Sequence, residues 1–264
     1  MKKLSKAYII LVLMFLYIPI FVLIVFSFNT TKSRSVMSGF TLDWYIKLFK
    51  NEIIISSLIN TIIIAVLASI ASTILGTAAA IGINNMKKLP KAIVLNITNF
   101  PIINPEIVTG VSLMLLFVFF AARMNLEFGF VTLLIAHITF DVPYVILNVM
   151  PKLKQMDPFL YEAAQDLGCS PLPAFFKVVL PEIMPGVVSG FLMAFTFSLD
   201  DFIISYFTCG SSMQTLPVTI YSMTRRKVSP EINALSTIIF LVVVVILVVK
   251  NILERRSLSK AKGE

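Results

Sequence analysis

Six stretches of the chain are almost wholly apolar, and polar residues are gathered between them. Each stretch is long enough to cross about 30 Å of hydrocarbon as a helix rising 1.5 Å per residue. Backbone groups in lipid must pair within their own segment, and no alternating barrel pattern is present, so helices are predicted. The stretches are residues 7–28, 60–83, 101–121, 130–150, 183–207 and 233–249. The predicted fold class is an all-α membrane protein with six transmembrane helices.

The composition agrees with this pattern and excludes a soluble globule. Apolar residues make up 58% of the chain and charged residues 14%, with a mean hydropathy of +0.92. Soluble domains average about 45–50% apolar and about 25% charged residues, so this chain has too little polar surface to coat a globule. The net charge of +8 comes from basic residues in the loops, which is typical of membrane orientation rather than nucleic-acid binding.

The distribution of Lys and Arg predicts that both termini are cytoplasmic. If the amino terminus is inside, 14 of the 22 basic residues lie on the inner side and 8 on the outer side. Cys169 and Cys209 then fall on opposite faces of the membrane and cannot pair with each other. The predicted organisation is a first span with an outer loop (1–52), a core of five spans (53–253) and a cytoplasmic tail (254–264).

The second apolar stretch carries small residues at every fourth position, which places them on one helical face. They are Ala68, Ser72, Gly76 and Ala80. Small side chains allow another helix to approach closely, and we interpret this stripe as a packing face within the chain.

The loop at about 151–182, between spans four and five, has the signals of two short helices on the inner face. Asp157 followed by Pro158 is an N-cap signal, and Gly168 suits the left-handed position after a helix over 159–167. Ser170 followed by a proline starts a second helix over about 172–179, which Pro181 is expected to stop. Exposed aromatic side chains on such a pair would suit docking to another protein, although the pair could also only cover the inner end of a pore.

The spacing within this loop resembles the signature of permease subunits of ABC-type importers. The matching residues are Glu162, Ala163, Ala164, Gly168, Val178, Leu180 and Pro181, with Val178 where isoleucine is more usual. The resemblance implies that Glu162, Ala163, Ala164, Gly168, Leu180 and Pro181 couple the pore to separate ATPase subunits. It also implies a second permease subunit and an external substrate-binding protein. The chain has no Gly-Lys dipeptide and so no P-loop, which agrees with ATP and Mg²⁺ being bound by partners.

Ionisable residues within the spans are the candidates for a substrate pathway, because each costs at least about 2.5–3.5 kcal/mol at the membrane centre. Asp200 and Asp201 lie about 10 Å from the predicted outer end of span five, on adjacent helical positions about 100° apart. Two carboxylates in a partly dry site would attract a cation; interfacial solvation or an ion pair with Arg123 is the alternative. Asp141 lies four residues after His137 and shares its helical face, so the two could line the pore together or pack as a pair.

Glu106, after Asn104-Pro105 near the inner end of span three, is a further candidate or a headgroup-level residue. Neither a catalytic constellation nor a metal-ligand spacing is apparent in the sequence, so an enzyme is not predicted.

The stretch 197–202, together with 216–223 and 229–234, resembles the second permease of spermidine/putrescine importers. This resemblance implies that the cargo is a polyamine. Two alternatives remain at this point. One is an ABC permease for another cation such as iron or thiamine, and the other is a cation-coupled secondary carrier using Asp141, His137, Asp200 and Asp201 as a proton relay.

Overall fold

The computed structural model describes residues 2–31, 36–124, 127–211, 213–226, 230–241 and 244–245. Within these ranges the chain is helical between short connections, and an isolated antiparallel bridge joins Asn29 and Phe40. The helices are α1 (Lys2–Phe26), α2 (Asp43–Lys50), α3 (Glu52–Asn84), α4 (Lys88–Ile103), α5 (Glu106–Met124), α6 (Phe130–Gln155), α7 (Leu160–Asp166), α8 (Pro171–Ala174), α9 (Leu180–Asp200), α10 (Ile203–Thr208), α11 (Leu216–Arg226) and α12 (Pro230–Leu241). A π-helical turn over Phe175–Val179 joins α8 to α9.

Five helical segments are long and apolar enough to cross a membrane, which confirms a multi-span helical protein. They are Tyr8–Phe26, Glu52–Asn84, Glu106–Arg123, Phe130–Gln155 and Pro171–Asp200. The predicted sixth span, 233–249, is represented by the shorter apolar helix α12, and most of its second half lies outside the described residues.

The chain forms two compact units. The first comprises Met1–Ile55 with Ile220–Glu264. In it the indole N–H of Trp44 donates to the carbonyl of Asn29 at 2.6 Å, and the amide of Asn51 donates to Glu231 at 3.2 Å. These contacts tie the segment after α1 to α2 and the start of α12.

The second unit, Ser56–Thr219, is built around α6, which packs most extensively on α9. Val145 of α6 is fully buried in an apolar cluster formed with α3, α4 and α9. A Cβ added at Gly76 of α3 would lie 2.7 Å from the Cβ of Val145, and one at Gly190 of α9 would lie 3.2 Å from its Cα. Small residues therefore let α3 and α9 approach α6 closely, as the stripe on the second apolar stretch predicts.

The third span begins differently from the prediction. The span was predicted to start at Pro101, but this residue lies inside α4, which fills most of the connection between the second and third predicted spans, and the break falls instead at Asn104 and Pro105. Asn104 is extended, with φ −76° and ψ 138°, because a following proline disfavours helical geometry in the residue before it. The third span is therefore α5, and Glu106 is in its first turn.

The fifth span is broken, whereas a continuous helix over 183–207 was predicted. Helix α9 ends at Asp200, Asp201 and Phe202 are non-helical, and α10 starts at Ile203. The apolar pattern runs through this break because Phe202 and Ile203 follow the two aspartates directly, so hydrophobicity alone did not reveal it.

Candidate functional site: a coupling segment and an acidic pocket

The first short helix of the loop has the predicted position. Helix α7 spans Leu160–Asp166, one residue shorter at each end than the prediction of 159–167. The carboxylate of Asp157 accepts a hydrogen bond from the backbone N–H of Phe159 at 2.9 Å, but the N-cap is Phe159 rather than the predicted Asp157, because the helix begins at Leu160. We call residues 157–181 the coupling segment.

The hydrogen bonds that end α7 explain why a glycine follows Ala164 by four residues. Gly168 has φ +88°, its N–H donates to the carbonyl of Gln165 at 2.8 Å, and the N–H of Cys169 donates to Ala164 at 3.1 Å. This pair of bonds is a Schellman motif, in which glycine takes the left-handed position. Ala164 is buried, whereas Glu162 and Ala163 are exposed, so the motif presents one face of α7 to the exterior.

The second short helix does not stop at Pro181, contrary to the prediction. Helix α8, the π-helical turn and α9 are continuous, and Pro181 lies in the first turn of α9. A proline ring clashes with a regular helical turn before it, and π-helical winding over Phe175–Val179 is a way to accommodate the ring. Leu180 packs against the apolar cluster of the second unit, which fixes the start of α9.

The outer surface of the coupling segment is strongly apolar. Leu167 is 88% exposed and Leu172 is 72% exposed, and Phe159 and Phe176 are also exposed. Behind this surface, Glu162, Tyr161 and Phe175 line a cavity of about 670 Å³ together with Asn84 of α3 and Lys154 of α6. Exposed leucine and phenylalanine side chains on a folded segment are typical of a docking surface for another protein.

A second pocket, of about 360 Å³, brings three of the predicted acidic residues together. It is lined by Glu106, Phe140, Phe197, Asp200, Asp201, Phe202 and Ile203, and we call it the acidic pocket. Glu106 comes from the first turn of α5, and the two aspartates come from the break between α9 and α10. Glu106 and Asp200 are exposed, and Asp201 is buried at 8% exposure.

The break separates the two aspartates, which were predicted to be neighbours on one helix: Asp200 ends α9, and Asp201 precedes α10. Asp201 accepts hydrogen bonds from the backbone N–H groups of Ile204 at 3.2 Å and Ser205 at 2.7 Å, so its carboxylate caps α10. Broken helices within membrane proteins are found where they line a cavity, because the freed backbone groups need polar partners. The acidic pocket lies at such a break.

His137 contacts two serines and lies near Asp201, rather than bonding to Asp141. The Nε2 atom of His137 is 3.6 Å from Oδ2 of Asp201, and its two ring nitrogens contact the hydroxyls of Ser198 and Ser205. Asp141 is fully buried, and neither of its carboxylate oxygens has a hydrogen-bond partner among the described residues. It is absent from the wall of the acidic pocket but lies within electrostatic range of Asp201.

Aromatic rings line and adjoin the acidic pocket, and they were not among the site residues predicted from the sequence. Phe140, Tyr144 and Phe197 form a cluster in which the Tyr144 and Phe197 centroids are 4.5 Å apart. Phe140 follows His137 by three residues and precedes Asp141, so helical periodicity on α6 was the available signal. Arg123, the alternative partner for the aspartates, lies over the ring of Phe119 at 4.3 Å.

One continuous helical segment joins the two sites. It runs from Pro171 in the coupling segment to Asp200 in the acidic pocket, 30 residues in all. At 1.5 Å per residue it is about 45 Å long. A single helical element therefore has one end in the coupling segment and the other at the acidic pocket.

Comparison with known proteins agrees with this architecture. Residues 72–259 match the family described as the binding-protein-dependent transport system inner membrane component. The chain is 36% identical over 254 residues to the spermidine/putrescine transport system permease protein PotC of Haemophilus influenzae, covering 96% of this chain and 97% of that protein. It is 39% identical over 229 residues to the putrescine transport system permease protein PotI of Escherichia coli, covering 85% and 81%.

Solved structures show the same fold at low sequence identity. A chain of a bacterial ABC transporter that imports the acidic polysaccharide alginate matches with a TM-score of 0.69 at 13% identity, over 96% of this chain and 95% of that chain. A chain of an amino acid ABC transporter matches with a TM-score of 0.53 at 22% identity, over 82% and 99%. Because the family match covers most of the residues and the relatives align over nearly the full length, this chain belongs to the inner-membrane components of binding-protein-dependent transport systems.

Proposed function

We propose that the acidic pocket is the site in the membrane pathway of this importer subunit through which a polyamine passes. The chain is a non-catalytic permease subunit of an ABC importer, and ATP hydrolysis belongs to separate ATPase subunits. The main observation in favour of a polyamine as the cargo is that Glu106, Asp200 and Asp201 line one pocket together with three phenylalanine rings.

The chemistry of the pocket fits an alkyl chain that bears ammonium groups. Carboxylates attract ammonium ions strongly where the surroundings are partly dry. Aromatic faces add about 0.5–2 kcal/mol for a cation held against them, and they also pack on methylene groups. A polyamine offers both features, with charged ends and an apolar spacer between them. The relatives named as spermidine and putrescine permeases support the same class of cargo.

Asp141 extends the acidic residues of the pocket inwards, and we place it on the same pathway. Its carboxylate is buried one helical turn beyond His137, in range of Asp201, and has no hydrogen-bond partner in the part of the chain that the structure describes. Such a group is expensive to bury in the membrane, which makes it a functional candidate.

The partners follow from the family, and their arrangement is part of the proposal. Glu162, Ala163, Ala164, Gly168, Leu180 and Pro181 of the coupling segment would dock on an ATPase subunit, which holds ATP and Mg²⁺. A second permease subunit would complete the pathway, and an external binding protein would deliver the polyamine. Both termini of this multi-span protein would then be cytoplasmic, in line with the distribution of its basic residues.

Transport is a shift between outward-open and inward-open states that nucleotide and the loaded binding protein favour differently. Closure of the ATPase pair would move the coupling segment, and the continuous helix ending at Asp200 would carry that movement to the acidic pocket.

The proposal is tested by uptake of radiolabelled putrescine into cells that express the complete importer. ATP is depleted in one sample while the proton gradient is kept, and the gradient is collapsed in another while ATP is kept. We expect uptake to stop in the first sample and to persist in the second. Uptake that persists without ATP would contradict the importer assignment and favour a cation-coupled carrier.

The cargo is tested in the same cells by competition. Unlabelled putrescine and spermidine are expected to suppress uptake, whereas thiamine and ferric ion at the same concentration are not. If thiamine or ferric ion is taken up in an ATP-dependent way and the polyamines are not, the polyamine assignment is wrong while the importer assignment stands.

A further inference from the structure

A single side chain from α6 contacts both helices that flank the break between α9 and α10. Nδ1 of His137 is 2.6 Å from the hydroxyl of Ser198 on α9, and Nε2 is 3.0 Å from the hydroxyl of Ser205 on α10. His137 and both serines are buried, at 2% exposure or less. Since serine hydroxyls both donate and accept, a neutral imidazole satisfies both contacts at once. One ring therefore joins α6 to the helices on either side of the break.

The same ring is linked to Asp201 on the wall of the acidic pocket. Nε2 of His137 lies 3.6 Å from Oδ2 of Asp201, and the same oxygen accepts the backbone N–H of Ser205 at 2.7 Å. Ser205 thus donates its N–H to the carboxylate, and its hydroxyl contacts the imidazole. His137 therefore contacts the residue whose backbone N–H binds the Asp201 carboxylate.

His137 is not placed to meet the cargo itself. It is 2% exposed and is absent from the residues that line the acidic pocket. The described residues also contain no group of three or more His, Cys, Asp or Glu side chains that could hold a metal ion. Its contacts are those of a side chain that orients other groups.

We propose that His137 is a positioning residue, which holds the helix break so that the Asp201 carboxylate faces the cargo in the acidic pocket. The inference rests on the proposed function, because it assigns the positioned carboxylate to the polyamine. Asp200 is the last residue of α9, whereas Asp201 is hydrogen-bonded to α10 and linked to α6 through His137.

A double-mutant cycle on the assembled importer in proteoliposomes tests the proposal. The KM for ATP-driven putrescine uptake is measured for the single variants His137→Leu, Asp201→Asn and Asp200→Asn. It is also measured for the two double variants that combine His137→Leu with either aspartate change. Groups that act through one another give non-additive effects, whereas independent groups give additive ones. Thr139→Val, an exposed hydroxyl on the same helix, is the matched control and is expected to leave KM unchanged.

We expect His137→Leu to raise the KM for putrescine by roughly tenfold, because interaction energies between residues in contact are of the corresponding size. In the His137→Leu background, Asp201→Asn should raise KM further by less than about twofold. Asp200→Asn should raise KM there by the same factor as it does in the wild type. His137→Gln, whose amide can keep one serine contact, should recover part of the loss. If His137 had a purely structural role, His137→Leu would lower the amount of assembled importer, and its effect on KM would combine with Asp201→Asn in the same way as with Asp200→Asn. Full additivity with Asp201→Asn therefore overturns the proposal.

A readout without cargo separates this inference from the proposed function. If the wild-type importer takes up no putrescine, the polyamine assignment fails, and the positioning role is then measured by amide hydrogen–deuterium exchange over 199–208. His137→Leu should increase exchange at Ile204 and Ser205, whose N–H groups are bonded to Asp201, whereas Thr139→Val should not. Unchanged exchange at both amides in His137→Leu overturns the positioning role.

Discussion

Asp200 and Asp201 are consecutive in the chain but belong to different helices. Asp200 is the last residue of α9, and the carboxylate of Asp201 caps α10 through the N–H groups of Ile204 and Ser205. The acidic pocket is therefore formed at a joint between two elements. One of these elements, α9, is continuous with the coupling segment.

Asp141→Leu is expected to stabilise the protein and to impair uptake. The carboxylate of Asp141 is fully buried without a hydrogen-bond partner among the described residues. Replacing such a group by an apolar side chain of similar size removes a cost of about 1–3 kcal/mol. The thermal midpoint of the purified importer should rise, while the rate of putrescine uptake should fall.

The matched control for this change is Asp43→Asn, which removes an exposed charge in α2 and should shift stability by at most about 0.5 kcal/mol. A clear fall in the midpoint of Asp141→Leu would mean that Asp141 stabilises the fold through a partner, and its place in the pathway would lose its support.

Gly168→Ala is expected to weaken coupling between ATPase activity and uptake. Its φ of +88° costs an alanine about 1–2 kcal/mol, although no atom would contact the added Cβ within 4 Å. The strain falls on the Schellman motif that ends α7. The number of ATP molecules hydrolysed per putrescine imported should therefore increase.

Gly82→Ala is a suitable comparison for that variant, because this helical glycine also has open space around it and no positive φ. It should leave the ratio of ATP to cargo unchanged. Equal ratios in the two variants would show that the turn at Gly168 does not matter for coupling.

Gly76→Leu is expected to prevent α3 from packing on α6. The added Cβ alone would lie 2.7 Å from the Cβ of Val145, and overpacking of this kind costs about 1–3 kcal/mol. The yield of folded permease and its thermal midpoint should both fall. Val145→Ala in the same chain should restore part of the loss, and Gly82→Leu should have little effect. Failure of the second-site change to restore stability would place the damage elsewhere than at this contact.

Leu167→Glu is expected to separate the permease from its ATPase subunits without unfolding it. Leu167 is 88% exposed at the end of α7, so a charge there costs the isolated chain little. In an apolar docking surface the same charge would be desolvated without a partner. Copurification of the ATPase subunits should drop while the thermal midpoint of the permease stays constant. Undiminished copurification would show that this surface is not where the ATPase docks.

The sequence predicted the helices best where local chemistry decides the outcome. Gly168 could be placed because few other residues accept a left-handed backbone, and the Asp157-Pro158 pair marked the start of α7 within one residue. The breaks in the chain were harder to predict. Pro181 was expected to end a helix, but the π-helical turn before it accommodates the ring, and this depends on packing around α9.

The acidic residues of the pocket were found from the cost of burying charge, but their arrangement was not. Glu106 is separated from Asp200 by almost a hundred residues, and the two meet only because α10 packs against α5. His137 and Asp141, four residues apart on the same helix, were expected either to line the pore together or to pack as a pair. His137 faces Ser198 and Ser205 instead, which are brought together by a helix break that hydrophobic periodicity cannot reveal.

The most direct test of the account is ATP-driven putrescine uptake into proteoliposomes by importers that carry changes in the acidic pocket. Glu106→Gln combined with Asp200→Asn removes both exposed carboxylates, and Glu127→Gln removes an exposed carboxylate that does not line the pocket. We predict that the double variant raises the KM for putrescine at least about tenfold, since each lost ammonium–carboxylate contact costs on the order of 1 kcal/mol or more. The Glu127→Gln importer should match the wild type. An unchanged KM in the double variant, with normal assembly and ATPase activity, would contradict the assignment of the pocket to the polyamine pathway.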